Sequence, residues 1–168
     1  MKKLCRCVPL VLVVAIASLL GFSISRVYGS ANSAPTMDCL SCHVGEIVPD
    51  LAQVEGWPKA YTPGKTYEMT VLVKNGPPIE EGEAAGGFVV KVSAGQLIVS
   101  DKQNTQIIDQ LLTHTQEGKK LRKWTFKWKA PTQKKEVSLH ILAMAANGDA
   151  SANGDQVGEI KSTIQAAK

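Results

Sequence analysis

Two cysteines and a histidine fall close together near the start of the chain, in the order Cys39-Leu40-Ser41-Cys42-His43. This order has the C-x-x-C-H spacing at which c-type haem is attached to proteins. The two thiols can add to the vinyl groups along one porphyrin edge, and the adjacent imidazole can bind the iron. We therefore predict one covalent haem c, with thioether bonds to Cys39 and Cys42 and with His43 as the proximal iron ligand.

Other uses of a Cys-x-x-Cys pair have to be weighed against haem attachment. A zinc site wants further Cys or His at similar spacing, and the only other histidines are His114 and His140. A thioredoxin-like redox pair lies at the start of a helix that follows a strand in an α/β chain, and this chain lacks that pattern. A disulfide between Cys39 and Cys42 stays open as the alternative.

The second axial ligand decides whether a haem transfers electrons or binds small molecules. The candidates are the two remaining histidines and three methionines, namely His114, His140, Met37, Met69 and Met144. Met69 shares a predicted core face, and Met37 is too close to the attachment motif to reach the other side of the ring. Met144 ends a strand near a turn and could bind iron, although core filling is the commoner role of methionine.

The two histidines differ in their predicted surroundings. Alternation places His140 in the middle of a strand, between Leu139 and Ile141, as a strand residue with no ligand role. His114 lies in a Thr-His-Thr segment that we predict to be a connection before a strand, and connections often carry functional residues. We predict His114 as the distal iron ligand, with a loop-capping histidine as the alternative.

Alternation of apolar and polar residues predicts the elements that position these side chains. Turn signals such as Pro63-Gly64, Gly86-Gly87 and Asn147-Gly148 separate the strands. The count of strands indicates an all-β fold, an antiparallel β-sandwich. One exception is Gln106 to Leu112, where the spacing of the apolar residues predicts a short helix or turn. The apolar faces of the predicted strands are Tyr67, Met69, Val71 and Val73; Phe88, Val90 and Val92; Trp124, Phe126 and Trp128; Val137, Leu139 and Ile141; and, more weakly, residues from Val157 to Ile164.

Several segments of the chain resemble reelin-like (Reeler) domains. The resemblance is closer still to the bacterial and archaeal reelin-like proteins that place a Cys-x-x-Cys-His near the N-terminus and end in an Asn-Gly-rich turn followed by Gly-Asp. It implies an immunoglobulin-like β-sandwich, and because many reelin-like domains are extracellular modules without haem it implies function less firmly. The segments are Tyr61 to Tyr67, Gly86-Gly87-Phe88, Thr113-His114-Thr115, Trp124 to Pro131 and Ala145 to Gly148.

The N-terminus has the layout of a secretory signal. Lys2, Lys3 and Arg6 precede an apolar run from Val8 to Ser25, and small residues follow around Gly29. The apolar run approaches the length that spans a membrane, so an uncleaved anchor is the alternative to removal. We predict residues 1–29 as signal peptide or anchor, 30–56 as a linker with the haem-attachment segment, and 57–168 as the β-sandwich. The protein is therefore expected in the periplasm, on the cell surface or outside the cell.

The positive net charge of the whole chain comes from the predicted targeting segment, residues 1–29. Four of the 19 Lys and Arg residues lie within residues 1–29, so the remaining 15 balance the 15 Asp and Glu residues. An exported part without net charge offers no case for nucleic-acid binding, which needs a clustered positive face. The length suits one domain with a core of its own.

Two Asn-Gly-Asp repeats near the end of the chain contain oxygen ligands that could bind calcium. The Asn147-Gly148-Asp149 and Asn153-Gly154-Asp155 repeats lack the far acidic residue of an EF-hand loop, and tight turns explain Asn-Gly pairs without metal. No nucleophile elbow, His-Glu-x-x-His or phosphate loop occurs in the sequence. We therefore predict turns at the repeats and no enzymatic activity.

The combined features predict an exported monohaem c-type cytochrome that transfers single electrons outside the cytoplasmic membrane. Its expected partners are other redox proteins, cytochromes among them. Two alternatives stay open: an extracellular adhesion or binding module with a structural haem or a Cys39–Cys42 disulfide, and a haem-based sensor of small ligands.

Overall fold

Nine β-strands and one 3-10 turn form the regular structure of residues 33–34, 36–79 and 84–168, which are the residues that the computed structural model describes. The predicted signal or anchor at residues 1–29 lies outside this part of the chain. No helix in the described residues is long and apolar enough to span a membrane. The strands are β1 (Ala52–Glu55), β2 (Thr66–Val73), β3 (Gly86–Val92), β4 (Gln96–Ile98), β5 (Thr105–Ile108), β6 (Leu111–His114), β7 (Lys123–Lys129), β8 (Val137–Ala145) and β9 (Gln156–Ile164), and the 3-10 turn is Gly118–Lys120.

The strands form two antiparallel sheets. One sheet has four strands in the order β1-β2-β7-β4, and the other has five in the order β5-β6-β3-β8-β9. Side chains from the inner faces of the two sheets share one apolar core. The predicted all-β sandwich is confirmed.

Alternation along the strands builds this core. In β7, Trp124, Phe126 and Trp128 are buried and the lysines between and beside them are exposed. The Trp124 ring stacks on Phe88 of the opposite sheet with 4.7 Å between ring centroids. Burial of large aromatic rings from both sheets stabilises the sandwich, because each ring removes a large apolar area from water.

Of the predicted helix or turn over residues 106–112, the helix is wrong: the segment is a β-hairpin, and its turn comprises only residues 109 and 110. Ile107 pairs with Leu112, and Ile108 pairs with Leu111. The two residues between them, Asp109 and Gln110, have φ values of 48° and 67°, as a two-residue type I′ hairpin turn requires. Apolar pairs on both sides of a tight turn have the same spacing in sequence as one face of a helix, and no Asn-Gly signal marked this turn.

The sandwich begins earlier in the chain than the predicted boundary at residue 57. Ala52–Glu55 forms β1 and pairs with β2 along its whole length. Before it, Ile47 forms a parallel bridge with Val157 of β9. The predicted linker therefore lies against the domain for part of its length, and this contact positions the attachment segment.

Candidate haem-attachment site

The Cys-x-x-Cys-His segment folds into a single helical turn. The amide of His43 donates to the carbonyl of Cys39 at 3.0 Å, and the amide of Cys42 donates to the same oxygen at 3.3 Å. Asp38 begins the turn, since its side-chain oxygen accepts from the amide of Ser41 at 3.2 Å, as N-cap residues do. Residues three apart lie on one side of such a turn, so Cys39 and Cys42 are on the same side.

The two thiols on this turn are free and differ in environment. Cys42 is exposed, whereas Cys39 is half-buried. Burial, with smaller contributions from Asp38 and Cys42, raises the pKa of the Cys39 thiol to about 11. The Cys39 thiol is therefore in contact with apolar neighbours, whereas the Cys42 thiol is open to solvent.

Backbone hydrogen bonds fix the segment after the turn against the end of the chain. The amide of Val44 donates to the carbonyl of Ala152 at 2.9 Å, and the amide of Val48 donates to the carbonyl of Val157 at 2.7 Å. Both acceptors lie in or beside the turn that leads into β9. The attachment motif and the second Asn-Gly-Asp repeat are thus neighbours, although more than a hundred residues separate them in sequence.

A buried carboxylate in that repeat contacts the predicted iron ligand. The Nδ1 atom of His43 lies 2.7 Å from Oδ2 of Asp155. An ionised carboxylate can only accept, so Nδ1 of His43 carries the proton and donates. When the imidazole is neutral, the other ring nitrogen, Nε2, is then the unprotonated atom and keeps its lone pair.

Asp155 is a site residue that the sequence did not reveal. The prediction of tight turns at the two Asn-Gly-Asp repeats accounts for their backbones but gives Asp155 no partner. The two Asn-Gly-Asp repeats differ in what their aspartate side chains contact, and this difference is visible only in the structure. The side chain of Asp149 bonds within its own turn, to the amide of Ser151, whereas the side chain of Asp155 reaches across to His43.

His114 ends β6 and is buried, so its predicted place in a connection is wrong. Its Nδ1 lies 3.2 Å from the amide of Phe88 and 3.3 Å from the carbonyl of the same residue. Burial lowers the pKa of His114, and Lys119 adds to this effect while the Phe88 backbone opposes it. A neutral ring can bind iron through Nε2 when Nδ1 donates to the Phe88 carbonyl, but not when Nδ1 accepts from the Phe88 amide.

Two of the candidate distal ligands flank a glycine of β3. A Cβ atom on Gly87 would lie 2.8 Å from Cε1 of His114, so the histidine ring fills the space of the missing side chain. Across β3 and β8, Gly87 pairs with Met144. The structure thus brings His114 and Met144 to the same part of the five-stranded sheet. The prediction of His114 as distal ligand stays a prediction.

The other candidates lie where their patterns indicated. His140 is in β8 and its Nε2 donates to Glu159 at 2.8 Å on the outer face. Met69 is buried in the core between the sheets. Among the described residues, no group of three or more His, Cys, Asp or Glu is arranged to hold a metal ion.

Exposed apolar side chains surround the attachment turn. Leu40, Val44 and Ile47 are three of the six large apolar residues that are exposed in the described part of the chain. Val44 is the most exposed of them, at 64%. A porphyrin ring bound to Cys39 and Cys42 would find apolar side chains close to its attachment points. The residues present therefore fit a covalent haem: two free thiols on one side of a turn, an imidazole with a free Nε2, and apolar surroundings.

Two solved structures are similar in fold to the β-sandwich that carries this site. The human F-spondin reeler domain superposes with a TM-score of 0.53 at 14% identity, covering 74% of this chain and 95% of that domain. A second structure, the reelin-N domain of F-spondin, gives a TM-score of 0.53 at 16% identity and covers 77% and 96% of the two chains. The fold is that of a reeler domain. No family model matches the sequence, and none of the curated proteins matches it.

In this β-sandwich, the described part of the N-terminal segment packs on the outer face of the five-stranded sheet. Val89, Leu142 and Val157 are buried on the face that points away from the core between the sheets. Partly buried residues of the N-terminal segment and of the sheet pack over them, namely Ala34, Met37, Cys39, Leu111 and Met144. The amide of Ala34 also donates to the hydroxyl of Thr113 at 2.9 Å. The attachment turn is thus seated on this outer face, where Cys39 and Met144 belong to one apolar cluster.

Proposed function

We propose that this reeler-fold protein is an exported monohaem c-type cytochrome that transfers single electrons outside the cytoplasmic membrane. The observation that carries the proposal is the arrangement of the attachment turn. Cys39 and Cys42 present free thiols on one side of it, and His43 keeps Nε2 available because Nδ1 donates to Asp155.

Each residue has a separate task in this proposal. Cys39 and Cys42 bind the haem covalently, and His43 supplies the proximal ligand atom Nε2. His114 is proposed as the distal ligand. When bound, the haem supplies a one-electron couple between ferric and ferrous iron. The β-sandwich supplies a rigid outer face on which the turn is seated by the hydrogen bonds of Val44 and Val48.

The proposed setting is extracytoplasmic, with removal of residues 1–29 or their retention as an anchor. The expected partners are redox proteins, including other cytochromes. The exported part has equal numbers of basic and acidic residues, so strong electrostatic steering toward one partner is not expected.

A second candidate function is an extracellular binding module with a structural haem or a Cys39–Cys42 disulfide. The likeness to F-spondin reeler domains is one of fold, and this fold can carry an extracellular module with or without haem. A haem-based sensor, in which the distal position is open to a small ligand, is the third. The three candidates differ in whether haem is covalently attached and in whether the distal position of the iron is occupied by a side chain or open to a small ligand.

Expression in a host with cytochrome c maturation tests the proposal. We expect a pyridine haemochrome spectrum of haem c at one haem per chain, and its loss when Cys39 and Cys42 are both replaced by Ser. The matched control replaces Cys5 and Cys7 by Ser, since these are the two other cysteines of the chain, and should keep the haem. A wild-type protein without covalent haem and with a Cys39–Cys42 disulfide would favour the binding module.

A further inference from the structure

We propose that Asp155 is the positioning residue of the attachment site: it holds the His43 ring in the Nδ1-protonated form, leaves Nε2 as the ligand atom, and lowers the reduction potential of the bound haem. This inference rests on the proposed function for its effect on haem. Its structural part, the state of the His43 ring, stands on the described contacts alone.

Both carboxylate oxygens of Asp155 are engaged. Oδ2 accepts from Nδ1 of His43 at 2.7 Å, and Oδ1 accepts from the backbone amide of Asn147 at 3.1 Å. The Asp155 side chain is 3% exposed and that of His43 is 23% exposed. A charge-assisted hydrogen bond that is shielded from water is stronger than one in solvent, so the ring of His43 has one strongly preferred orientation.

The backbone around Asp155 is fixed on both sides of this contact. The carbonyls of Ala152 and Val157 accept from the amides of Val44 and Val48. Just before Asp155, Gly154 has φ of +82°, and a Cβ there would lie 2.7 Å from the side chain of Asn147. The turn therefore holds the Asp155 carboxylate in a fixed position relative to the attachment segment. A residue that orients the His43 ring must be held in this way.

The His140–Glu159 pair shows what distinguishes the Asp155 contact. His140 donates from Nε2 to Glu159 at 2.8 Å, and both side chains are more than a quarter exposed. The ammonium group of Lys161 lies 2.7 Å from the same carboxylate oxygen of Glu159. Because that positive charge competes for the oxygen, Glu159 is a weaker acceptor for His140. The His43 contact uses the opposite ring nitrogen, is more buried and joins the histidine of the haem motif.

The chemical consequence follows from the charge on the acceptor. A carboxylate that accepts from Nδ1 raises the basicity of a ligating imidazole and fixes its orientation. A more basic axial ligand stabilises ferric iron more than ferrous iron, because ferric iron carries one more positive charge. The reduction potential is therefore lower with Asp155 than it would be with a neutral acceptor.

Asp155→Asn is the sharpest substitution at this position. Asparagine keeps the size of aspartate but has one acceptor oxygen and one donor nitrogen, whereas the site presents two donors, from His43 and from Asn147. One of the two hydrogen bonds is therefore lost. The matched control is Asp149→Asn, the same change in the neighbouring repeat, where the side chain is bonded to Ser151 and does not contact His43.

We expect the haem midpoint potential to shift upward in Asp155→Asn and to stay at the wild-type value in Asp149→Asn. Equal potentials in all three proteins would overturn the effect on the haem. A structural role confined to the turn would not move the potential, so this readout separates positioning from folding.

The second measurement needs no change at Asp155. In the full chain with Cys39→Ser and Cys42→Ser, nitrogen-15 NMR of the neutral histidines should show His43 protonated at Nδ1 and His140 protonated at Nε2. His43 protonated at Nε2 would overturn the inference, and so would a mixture of both forms. If the wild-type chain carries no haem c, the proposed function fails while this result still decides the Asp155 contact. If the Asp155→Asn variant loses its haem while the wild-type chain keeps it, the potential of the variant cannot be measured. The NMR result on the Cys39→Ser, Cys42→Ser chain then decides whether His43 is protonated at Nδ1.

Discussion

At the residue scale, two histidines illustrate how hydrogen bonding at Nδ1 decides what a ring can do. His43 is partly exposed and its Nδ1 faces a carboxylate, so the lone pair of Nε2 is available. His114 is buried and its Nδ1 lies between the amide and the carbonyl of Phe88. His114 can serve as a ligand through Nε2 only in the form in which Nδ1 carries the proton, and the Phe88 carbonyl and the Thr113 hydroxyl both lie 3.3 Å from Nδ1 to accept it.

The proposed distal ligand is tested by substitution and spectroscopy. We expect the wild-type iron to be six-coordinate and low-spin, with His43 and His114 as axial ligands. His114→Ala should give a high-spin or ligand-exchanged spectrum and should bind carbon monoxide in the reduced state. His140→Ala, on the outer face in contact with Glu159, should leave the spectrum unchanged.

The competing distal ligand is Met144, which packs in the same apolar cluster as Cys39. Methionine ligation raises the potential relative to two histidines and has its own near-infrared band. A native protein that shows this band and loses it in Met144→Ala would contradict the assignment of His114. His114 would then be a structural residue that satisfies the Phe88 backbone.

At the element scale, the strands whose faces alternate were predicted correctly and the short strands were not. β2, β7 and β8 have the buried faces that their apolar residues indicated. β4, β5 and β6 have three or four residues each, which is too short for an alternating pattern to be distinguished from a turn or a helix. Their pairing decides their conformation: β4 pairs with β7, β6 pairs with β3, and β5 pairs with β6.

The central strand β7 gives a prediction for stability. Trp124 is 1% exposed and donates from Nε1 to the carbonyl of Gly118 at 2.7 Å. Trp124→Ala should lower the free energy of unfolding by about 3–5 kcal/mol, because it removes a large buried ring that cannot be replaced by local rearrangement. Chemical denaturation measures this loss.

Thr125→Ala is the matched control in the same strand. Thr125 points away from the core and its hydroxyl lies 3.3 Å from that of Thr70, so its loss should cost no more than about 1 kcal/mol. Small and equal losses for the two variants would show that the core face of β7 is assigned wrongly.

At the scale of the whole molecule, the balance of charge depends on whether the N-terminal segment is retained. The full chain has a pI near 8.9, whereas residues 30–168 have equal numbers of basic and acidic residues. Removal of the segment therefore lowers the net charge of the protein from +4 to zero.

We expect export with cleavage after Gly29, so that the mature protein starts at Ser30 and has a nearly neutral isoelectric point. N-terminal sequencing and isoelectric focusing of the exported protein measure both properties. Gly29→Leu should retain the precursor, because signal cleavage requires small residues at the site. Recovery of the full-length wild-type chain in the membrane fraction would instead support the uncleaved anchor.

The β-sandwich and most of its core could be predicted from the amino-acid sequence, and the proposed haem attachment also rests on the sequence, because each is marked by a local pattern of residues. Alternation marks a strand, and C-x-x-C-H marks a possible thioether pair. The surroundings of His43 could not be predicted in this way, because they are formed by a distant part of the chain. The Asp155 contact joins residues 112 positions apart, through a turn that the sequence shows only as Asn-Gly-Asp. The hairpin at residues 105–114 was decided in the same way, since its apolar spacing fits both helix and hairpin until β3 provides a partner strand. Contacts between distant segments have no local pattern, and these contacts set the state of the imidazole on which the proposed chemistry depends.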